Sequence, residues 1–111
     1  MQTVILSYVE VYLDSLPKGH REKIEDIIHL LETRSGVLDE PYSRHLKSKI
    51  RELRIHFDGI EHRVLFTLLP NRTILLLTAF SKKTRKTPPR LIEKAILLRN
   101  EYLKILNSKK K

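Results

Sequence analysis

Cationic side chains are concentrated at points of the chain where they could hold a phosphate. Arg54 lies in the stretch "RELRIHF", and Arg63 lies in the next stretch, "IEHRVLF". Directly after the apolar run "LLLTAF", residues 82–86 contribute four more cations: Lys82, Lys83, Arg85 and Lys86. A guanidinium group is a planar fork that matches phosphate oxygens, and lysine adds a point charge. These residue types predict an anion site.

The two arginines are brought together by the dipeptide Asp58-Gly59, a strong signal for a two-residue hairpin turn because glycine accepts positive φ. If these residues form the turn, Phe57 pairs with Ile60, and Arg54 lies directly across from Arg63. The same register predicts two further pairs on the apolar face, Leu53 with Val64 and Ile55 with His62. Like charges paired across strands are destabilising. The arginine pair therefore requires a carboxylate or an external anion.

Two interpretations of the arginine pair remain open. Glu52 is one diagonal step away and could neutralise part of the charge, which would make the pair an ordinary ion-pair lattice. Alternatively, a phosphate is held between the two guanidinium groups. The cations of residues 82–86 are either a solvated loop or a rim of the same sheet face, where Thr84, Thr87 and the first N–H groups of a helix could also bind an anion.

Histidines are the conventional candidates for proton transfer in such a site. The register places His56 on the face of Arg54, near the hairpin tip, and His62 on the apolar face. A surface or structural role is favoured for each. The five histidines of the chain show no spacing typical of a zinc site. Lys47 and Lys49 are placed as electrostatic contacts with RNA, whose strength should fall with salt.

The composition agrees with a polyanionic partner. The chain has 111 residues, 22 Lys and Arg against 13 Asp and Glu, and a formal charge of +9. This excess makes nucleic acid the first partner to consider, with anionic membrane or an acidic protein as alternatives. The absence of cysteine excludes disulfides and thiol chemistry. No apolar run approaches the roughly 18 residues of a membrane span, and no signal peptide is visible, so we expect a soluble cytoplasmic protein.

The elements that position these residues follow from periodicity. Apolar residues at helical spacing predict a helical hairpin over residues 8–31, ending near Gly36; a strand over residues 2–6 is left open. Alternating residues then predict three antiparallel strands, of which "TILLLTAF" should be central. Thr87 as a cap, with Pro88 at the first helical position, predicts a final helix. The fold class is α+β, with one domain over residues 1–107 and a basic, frayed tail over residues 108–111.

In its basic strand and loop motifs, the chain resembles the RelE/HigB branch of the RelE/ParE toxin superfamily, in particular its phage-derived members. The resemblance covers roughly residues 45–100, through "HLKSKIRELRI", "HRVLFTLL" and above all "ILLLTAFSKKTRKTPPRLIEKA". It implies a RelE-like fold and a toxin that cuts mRNA in the ribosomal A site, using no metal or other cofactor. It also implies silencing by an antitoxin, which we expect to be acidic or of the helix-turn-helix type.

The resemblance also assigns roles. It implies catalytic positions for Arg54 and Arg63, which would stabilise the scissile phosphate, and for Lys82 and Lys83, which would act near the leaving oxygen. Arg85 and Lys86 continue that motif as RNA contacts. The chain departs from the best-known RelE pattern because Pro88, Pro89 and Arg90 stand where that pattern has a tyrosine. The alternatives are a ParE-like inhibitor of DNA gyrase and a non-catalytic RNA-binding or phage regulatory protein.

Overall fold

The computed structural model describes residues 2–83 and 86–109. Within these residues, the chain forms five strands and three helices. In order they are β1 (Gln2–Ile5), α1 (Ser7–Asp14), α2 (Lys18–Thr33), β2 (Ser43–Lys47), β3 (Ile50–Phe57), β4 (Ile60–Leu69), β5 (Thr73–Ser81) and α3 (Pro89–Lys109). The two predicted N-terminal helices are present as α1 and α2, but the strand β1 precedes them, and α3 continues through Lys109. None of the helices in the described residues is long and apolar enough to cross a membrane.

The strands form one sheet in the order β1-β5-β4-β3-β2, with β1 parallel to β5 and the other pairs antiparallel. The predicted meander is present as β3, β4 and β5, but the prediction of three strands was incomplete, because β1 and β2 add an edge on either side. β5 is an interior strand, as its apolar faces indicate, although β4 occupies the centre. β1 lies in residues 2–6, where the sequence left a strand open. β2 was not predicted, because it is short and mostly exposed and shows no clear alternation.

The predicted register between β3 and β4 is confirmed at every pair that was named, including Arg54 with Arg63. Asp58 and Gly59 have φ values of 48° and 77°, as a type I′ turn requires at both central residues. A bulge between β4 and β5 shifts their pairing between Leu65 and Phe66. Beyond that bulge, Phe80 lies opposite Arg63. Arg63 therefore lies between Arg54 on β3 and Phe80 on β5.

The helices cover the two faces of the sheet unequally. α1 and α2 pack on one face, where their apolar side chains form a core with β3, β4 and β5: Val9, Leu13, Ile24, Ile28, Leu31, Leu53, Val64, Phe66 and Leu76. α3 packs on the other face, where Ala95 meets Ile50, Leu65, Leu75 and Leu77. Alternation along β3 and β4 puts Arg54 and Arg63 on this second face, next to the cluster under α3. The layers thus leave the arginine pair near one end of the sheet.

A buried polar chain ties both N-terminal helices to the first face. The Tyr12 hydroxyl oxygen lies 2.6 Å from His62 Nδ1, and His20 Nδ1 lies 2.9 Å from His62 Nε2. His62 is fully buried, in agreement with its predicted place on the apolar face. Burial, followed by the neighbouring His20, lowers the pKa of His62, while Glu61 acts in the opposite direction. His62 is therefore a structural residue that the fold holds neutral.

This arrangement predicts a loss of stability on mild acidification. The unfolded chain protonates His62 at its ordinary pKa of about 6.5, whereas the folded chain does so only at lower pH. Stability is therefore complete above pH 6.5 and declines as the pH falls towards the folded-state pKa. We expect the urea midpoint to drop between pH 7.5 and 5.5, and to drop less in His62→Gln. The exposed His29 provides the control: an equal pH dependence in His29→Gln and His62→Gln would contradict this assignment.

Candidate active site

The arginine pair contains an unsatisfied group of donors. Arg63 is buried, with 9% of its side chain exposed, whereas Arg54 is partly exposed. The Nε and Nη1 atoms of Arg63 are inaccessible to solvent and have no hydrogen-bond partner among the described residues. A buried donor of a charged group that lacks an acceptor costs free energy of folding, so such atoms are rare in proteins. The described residues therefore leave two donors of the Arg63 guanidinium without an acceptor.

Two carboxylates offset part of the charge of the pair. Glu52 is buried, and its Oε1 lies 3.3 Å from Arg54 Nε and 3.9 Å from Arg63 Nη1. Glu61 Oε2 lies 3.1 Å from Arg63 Nη2. Glu52 is thus the neutralising partner that the sequence allowed. The ion-pair lattice is therefore present, and it leaves Nε and Nη1 of Arg63 without a hydrogen-bond partner among the described residues.

Lys82 completes a cluster of three cations. Its N–H donates to the Glu61 carbonyl oxygen across 2.8 Å, which continues the pairing of β4 with β5 by one residue. Burial is the first cause that lowers the pKa of the Lys82 amine, and the charges of Arg63 and Arg54 add to it, while Glu52 and Glu61 oppose them. Three cations therefore face two carboxylates, which leaves one positive charge in excess.

The loop between β5 and α3 is held to the sheet by Glu52. The Thr87 hydroxyl donates to Glu52 Oε2. The predicted helix start was wrong by one residue: α3 begins at Pro89, and the Pro88 carbonyl accepts the N–H of Leu91 across 3.0 Å. Thr87 is engaged with the buried carboxylate, so the local capping pattern was overridden by a contact with β3. The Glu52 side chain thereby joins the arginine pair to the loop that carries Lys82.

His56 and Glu61 form a second feature of the site. They are paired across β3 and β4, and His56 Nδ1 lies 2.6 Å from Glu61 Oε1. A carboxylate on one ring nitrogen orients an imidazole and leaves the other nitrogen for proton transfer. Because Glu61 also contacts Arg63, the histidine is adjacent to the anion site. Sequence reasoning missed this pair, although the register that places Arg54 opposite Arg63 also places His56 opposite Glu61.

The other predicted cations are more dispersed. Lys83 is exposed just beyond Lys82, and Lys86 is exposed before α3, while Arg85 and Thr84 lie outside the described residues. Lys47 is exposed on β2, and its Nζ lies 3.0 Å from Glu93 Oε1 on α3. Lys49 is exposed in the turn between β2 and β3. The structure thus brings Arg54, Arg63 and Lys82 together, and leaves Lys47 and Lys49 at the opposite end of β3 from the hairpin.

The arginine pair opens into a cleft of about 480 Å³. Its walls include Arg54, His56, Glu61 and Arg63 on the sheet, and they continue onto the segment before β2 and onto α2. In the described residues, no group of three or more His, Asp or Glu side chains is arranged to hold a metal ion. The side chains that line this cleft offer anion binding by guanidinium groups, with the imidazole of His56 as a group that can transfer a proton.

This fold is that of a RelE-like α+β domain. The chain matches a solved structure described as the archaeal RelE–RelB complex from Pyrococcus horikoshii OT3, with a TM-score of 0.53 and 22% sequence identity. The match covers 70% of this chain and 90% of that one. At this identity the likeness shows the fold. A comparison with curated protein sequences gave no match.

The family is shown by the sequence itself. The profile of the family described as "Phage derived protein Gp49-like" (DUF891) matches residues 11–99, which is most of the chain. The chain therefore belongs to the phage-derived Gp49-like family. Together with the fold, this membership confirms that the chain resembles RelE-type toxins.

Proposed function

We propose that this protein is the toxin of a toxin–antitoxin pair and that it cleaves mRNA on the ribosome. The observation that carries the proposal is Arg63, whose Nε and Nη1 are buried without a hydrogen-bond partner among the described residues, beside Arg54 and Lys82. A phosphodiester offers one negative charge and several acceptor oxygens, which match the excess positive charge of this cluster and the partly exposed guanidinium of Arg54. The scissile phosphate of RNA is the ligand that fits.

The reaction uses the RNA's own 2′-hydroxyl. Its oxygen attacks the adjacent phosphorus, the bond from phosphorus to the 5′-oxygen breaks, and a cyclic phosphate and a 5′-hydroxyl result. In this proposal Arg63 and Arg54 stabilise the charge that builds up on the phosphoryl oxygens. Lys83 adds positive charge on the leaving-group side, and Lys47, Lys49, Arg85 and Lys86 contact RNA outside the reacting centre. The reaction requires no cofactor.

Two protons must move during this reaction. His56, oriented by Glu61, is the base that removes the proton of the 2′-hydroxyl. Lys82 is the acid that protonates the 5′-oxygen, and the lowered pKa of its amine makes it a better proton donor than an ordinary lysine. This assignment gives the chain a general base in place of the tyrosine that is absent from the start of its last helix, where Pro88, Pro89 and Arg90 stand.

The same proposal includes a protein partner. The solved RelE structure to which this chain is similar is a complex with RelB. With a formal charge of +9, this chain favours an acidic partner that covers the basic face and thereby silences it. We propose an antitoxin, of the helix-turn-helix type, in that role. Action on ribosomes also places the protein in the cytoplasm.

The test of the activity is to induce the protein in cells and map new 5′ ends of mRNA. Cuts within translated frames support the proposal, and purified protein should cut mRNA on programmed ribosomes with no added metal beyond the Mg²⁺ that the ribosomes require. DNA damage without mRNA cuts would instead identify a gyrase inhibitor. Binding of RNA without either effect would identify a non-catalytic RNA-binding protein.

The His56–Glu61 pair gives a specific prediction. His56→Gln should slow cleavage of ribosome-bound mRNA about 100-fold, because general base catalysis contributes roughly that much. Glu61→Gln should also slow it, because the histidine loses its orienting carboxylate. Binding of mRNA blocked by 2′-O-methyl groups should not change in His56→Gln. His29→Gln, an exposed histidine on α2, serves as the control; equal cleavage by His56→Gln and His29→Gln would contradict the assignment.

A further inference from the structure

The cleft beside the arginine pair is larger than a phosphate requires. Its volume of about 480 Å³ lies in the range of roughly 300–1,000 Å³ that is typical of ligand sites. Beyond the arginines and the His56–Glu61 pair, its walls include Tyr42 from the segment before β2, and Lys23 and Ile27 from α2. These residues play no part in the phosphate chemistry described above. They supply an aromatic ring, a cation and an apolar surface.

Tyr42 is held in line with the arginine pair by its backbone. Its N–H donates to the Asp39 carbonyl across 3.0 Å, and its carbonyl accepts the N–H of Arg54 across 2.8 Å. The second bond extends the β2–β3 pairing by one residue beyond Ser43 and Leu53. Tyr42, Arg54 and Arg63 therefore follow one another across neighbouring strands. These two hydrogen bonds fix the backbone of Tyr42, while 45% of the residue is exposed to solvent.

We propose that this cleft is a subsite for the nucleotide next to the scissile phosphate, with its base stacked on the Tyr42 ring. Lys23 contacts a flanking phosphate from the α2 side. Single-stranded RNA presents a π-face on every base, so stacking on tyrosine does not depend on sequence. The inference rests on the proposed function, because the arginine pair is what places a phosphate beside the ring. As a consequence, the cleft would bind any codon, and sequence preference would come from other contacts.

The first experiment removes the base and the ring separately and together. Ribosome-bound mRNA is prepared with an abasic residue on either side of the cleaved bond. For the wild type, one of these substrates should be cut about tenfold more slowly than intact mRNA, since base–aromatic stacking contributes that much or more. Tyr42→Ala should cut intact mRNA about tenfold more slowly and should show no further loss on the abasic substrate. Tyr42→Phe should behave like the wild type.

Tyr8 offers a matched control, because it is also 45% exposed but lies on α1, outside the cleft. Tyr8→Ala should retain the tenfold response to the abasic residue. Urea unfolding of both alanine variants checks that the fold is intact. If Tyr42→Ala and the abasic residue each slow cleavage and their effects multiply, the base does not stack on this ring. That result would overturn the stacking proposal while leaving the nuclease function in place.

A second measurement separates this proposal from the nuclease function. Binding of a short RNA blocked by 2′-O-methyl groups, with and without the abasic residue, is titrated against wild type and Tyr42→Ala. A preference for the intact base that disappears in Tyr42→Ala supports the subsite even if the wild type cuts no RNA. Cleavage without any such preference overturns the subsite alone. Absence of both cleavage and RNA binding overturns both proposals.

Discussion

Arg63→Ala is expected to slow cleavage of ribosome-bound mRNA about 10³-fold and to abolish growth arrest on expression. Removing a single preorganised donor from a site of developing charge costs roughly 10²–10³-fold, and Arg63 supplies several donors in a buried position. The fold should survive, because Glu52 keeps its contacts with Arg54 and Thr87, and Glu61 keeps His56. The measurement is the single-turnover rate on programmed ribosomes, accompanied by growth curves at equal protein level.

Two further variants make this result specific. Arg63→Lys retains the charge but loses the planar fork, so we expect a rate between those of Arg63→Ala and the wild type. Arg34→Ala removes an arginine that is exposed at the end of α2, and it should cut like the wild type. If Arg63→Ala still arrests growth at the wild-type level, the phosphate is not held here. In that case the arginine pair is only part of the ion-pair lattice.

The register that underlies this prediction could be read from the sequence because two local signals agree. Asp58-Gly59 specifies a two-residue turn, and apolar residues alternate on both sides of it. A shift by one residue would turn the apolar side chains of β3 away from α1 and α2, so burial selects the same pairing as the turn. Glu52 was also predictable as a neighbour of the pair. The burial of Glu52 was not predictable, because it depends on the contact with Thr87, which is distant in sequence.

The remaining parts of the site depend on contacts that are distant in sequence. Tyr42 reaches the cleft because the segment before β2 pairs with β3, and β2 itself is a short, exposed edge strand without clear alternation. Lys23 belongs to a helix whose apolar period indicates only which side faces the core. The His56–Glu61 pair is different, since the register already contains it. The sequence does not single it out, because a histidine and a glutamate near a hairpin tip are ordinarily exposed residues without a shared role.

Counting charges alone gives the wrong expectation for the role of Glu52. A carboxylate next to a phosphate site repels the ligand, and its removal should raise the positive charge of the cleft. Yet Glu52 is 1% exposed and contacts both arginines and Thr87. Without it, two guanidinium groups face each other across neighbouring strands with less compensation. The carboxylate therefore compensates part of the charge of the arginine pair and stabilises the fold around it.

Glu52→Gln is accordingly expected to lower the free energy of unfolding by about 3 kcal/mol at low ionic strength, since breaking a buried ion pair leaves the partner charge uncompensated. Urea unfolding provides the measurement. Glu22→Gln, which removes an exposed carboxylate 3.8 Å from Lys18, should change stability by less than about 0.5 kcal/mol. Equal stabilities of the two variants would mean that Glu52 contributes no more than a surface charge.

Inorganic phosphate distinguishes loss of a charge partner from loss of packing. An added phosphate can take the place of the missing carboxylate between Arg54 and Arg63, so it should stabilise Glu52→Gln more than it stabilises the wild type. Potassium chloride at matched ionic strength controls for screening. Glu52→Gln should show this extra stabilisation only while Arg63 is present, and the double variant with Arg63→Ala should lose it. If phosphate stabilises the single and double variants equally, the anion binds elsewhere on the basic surface.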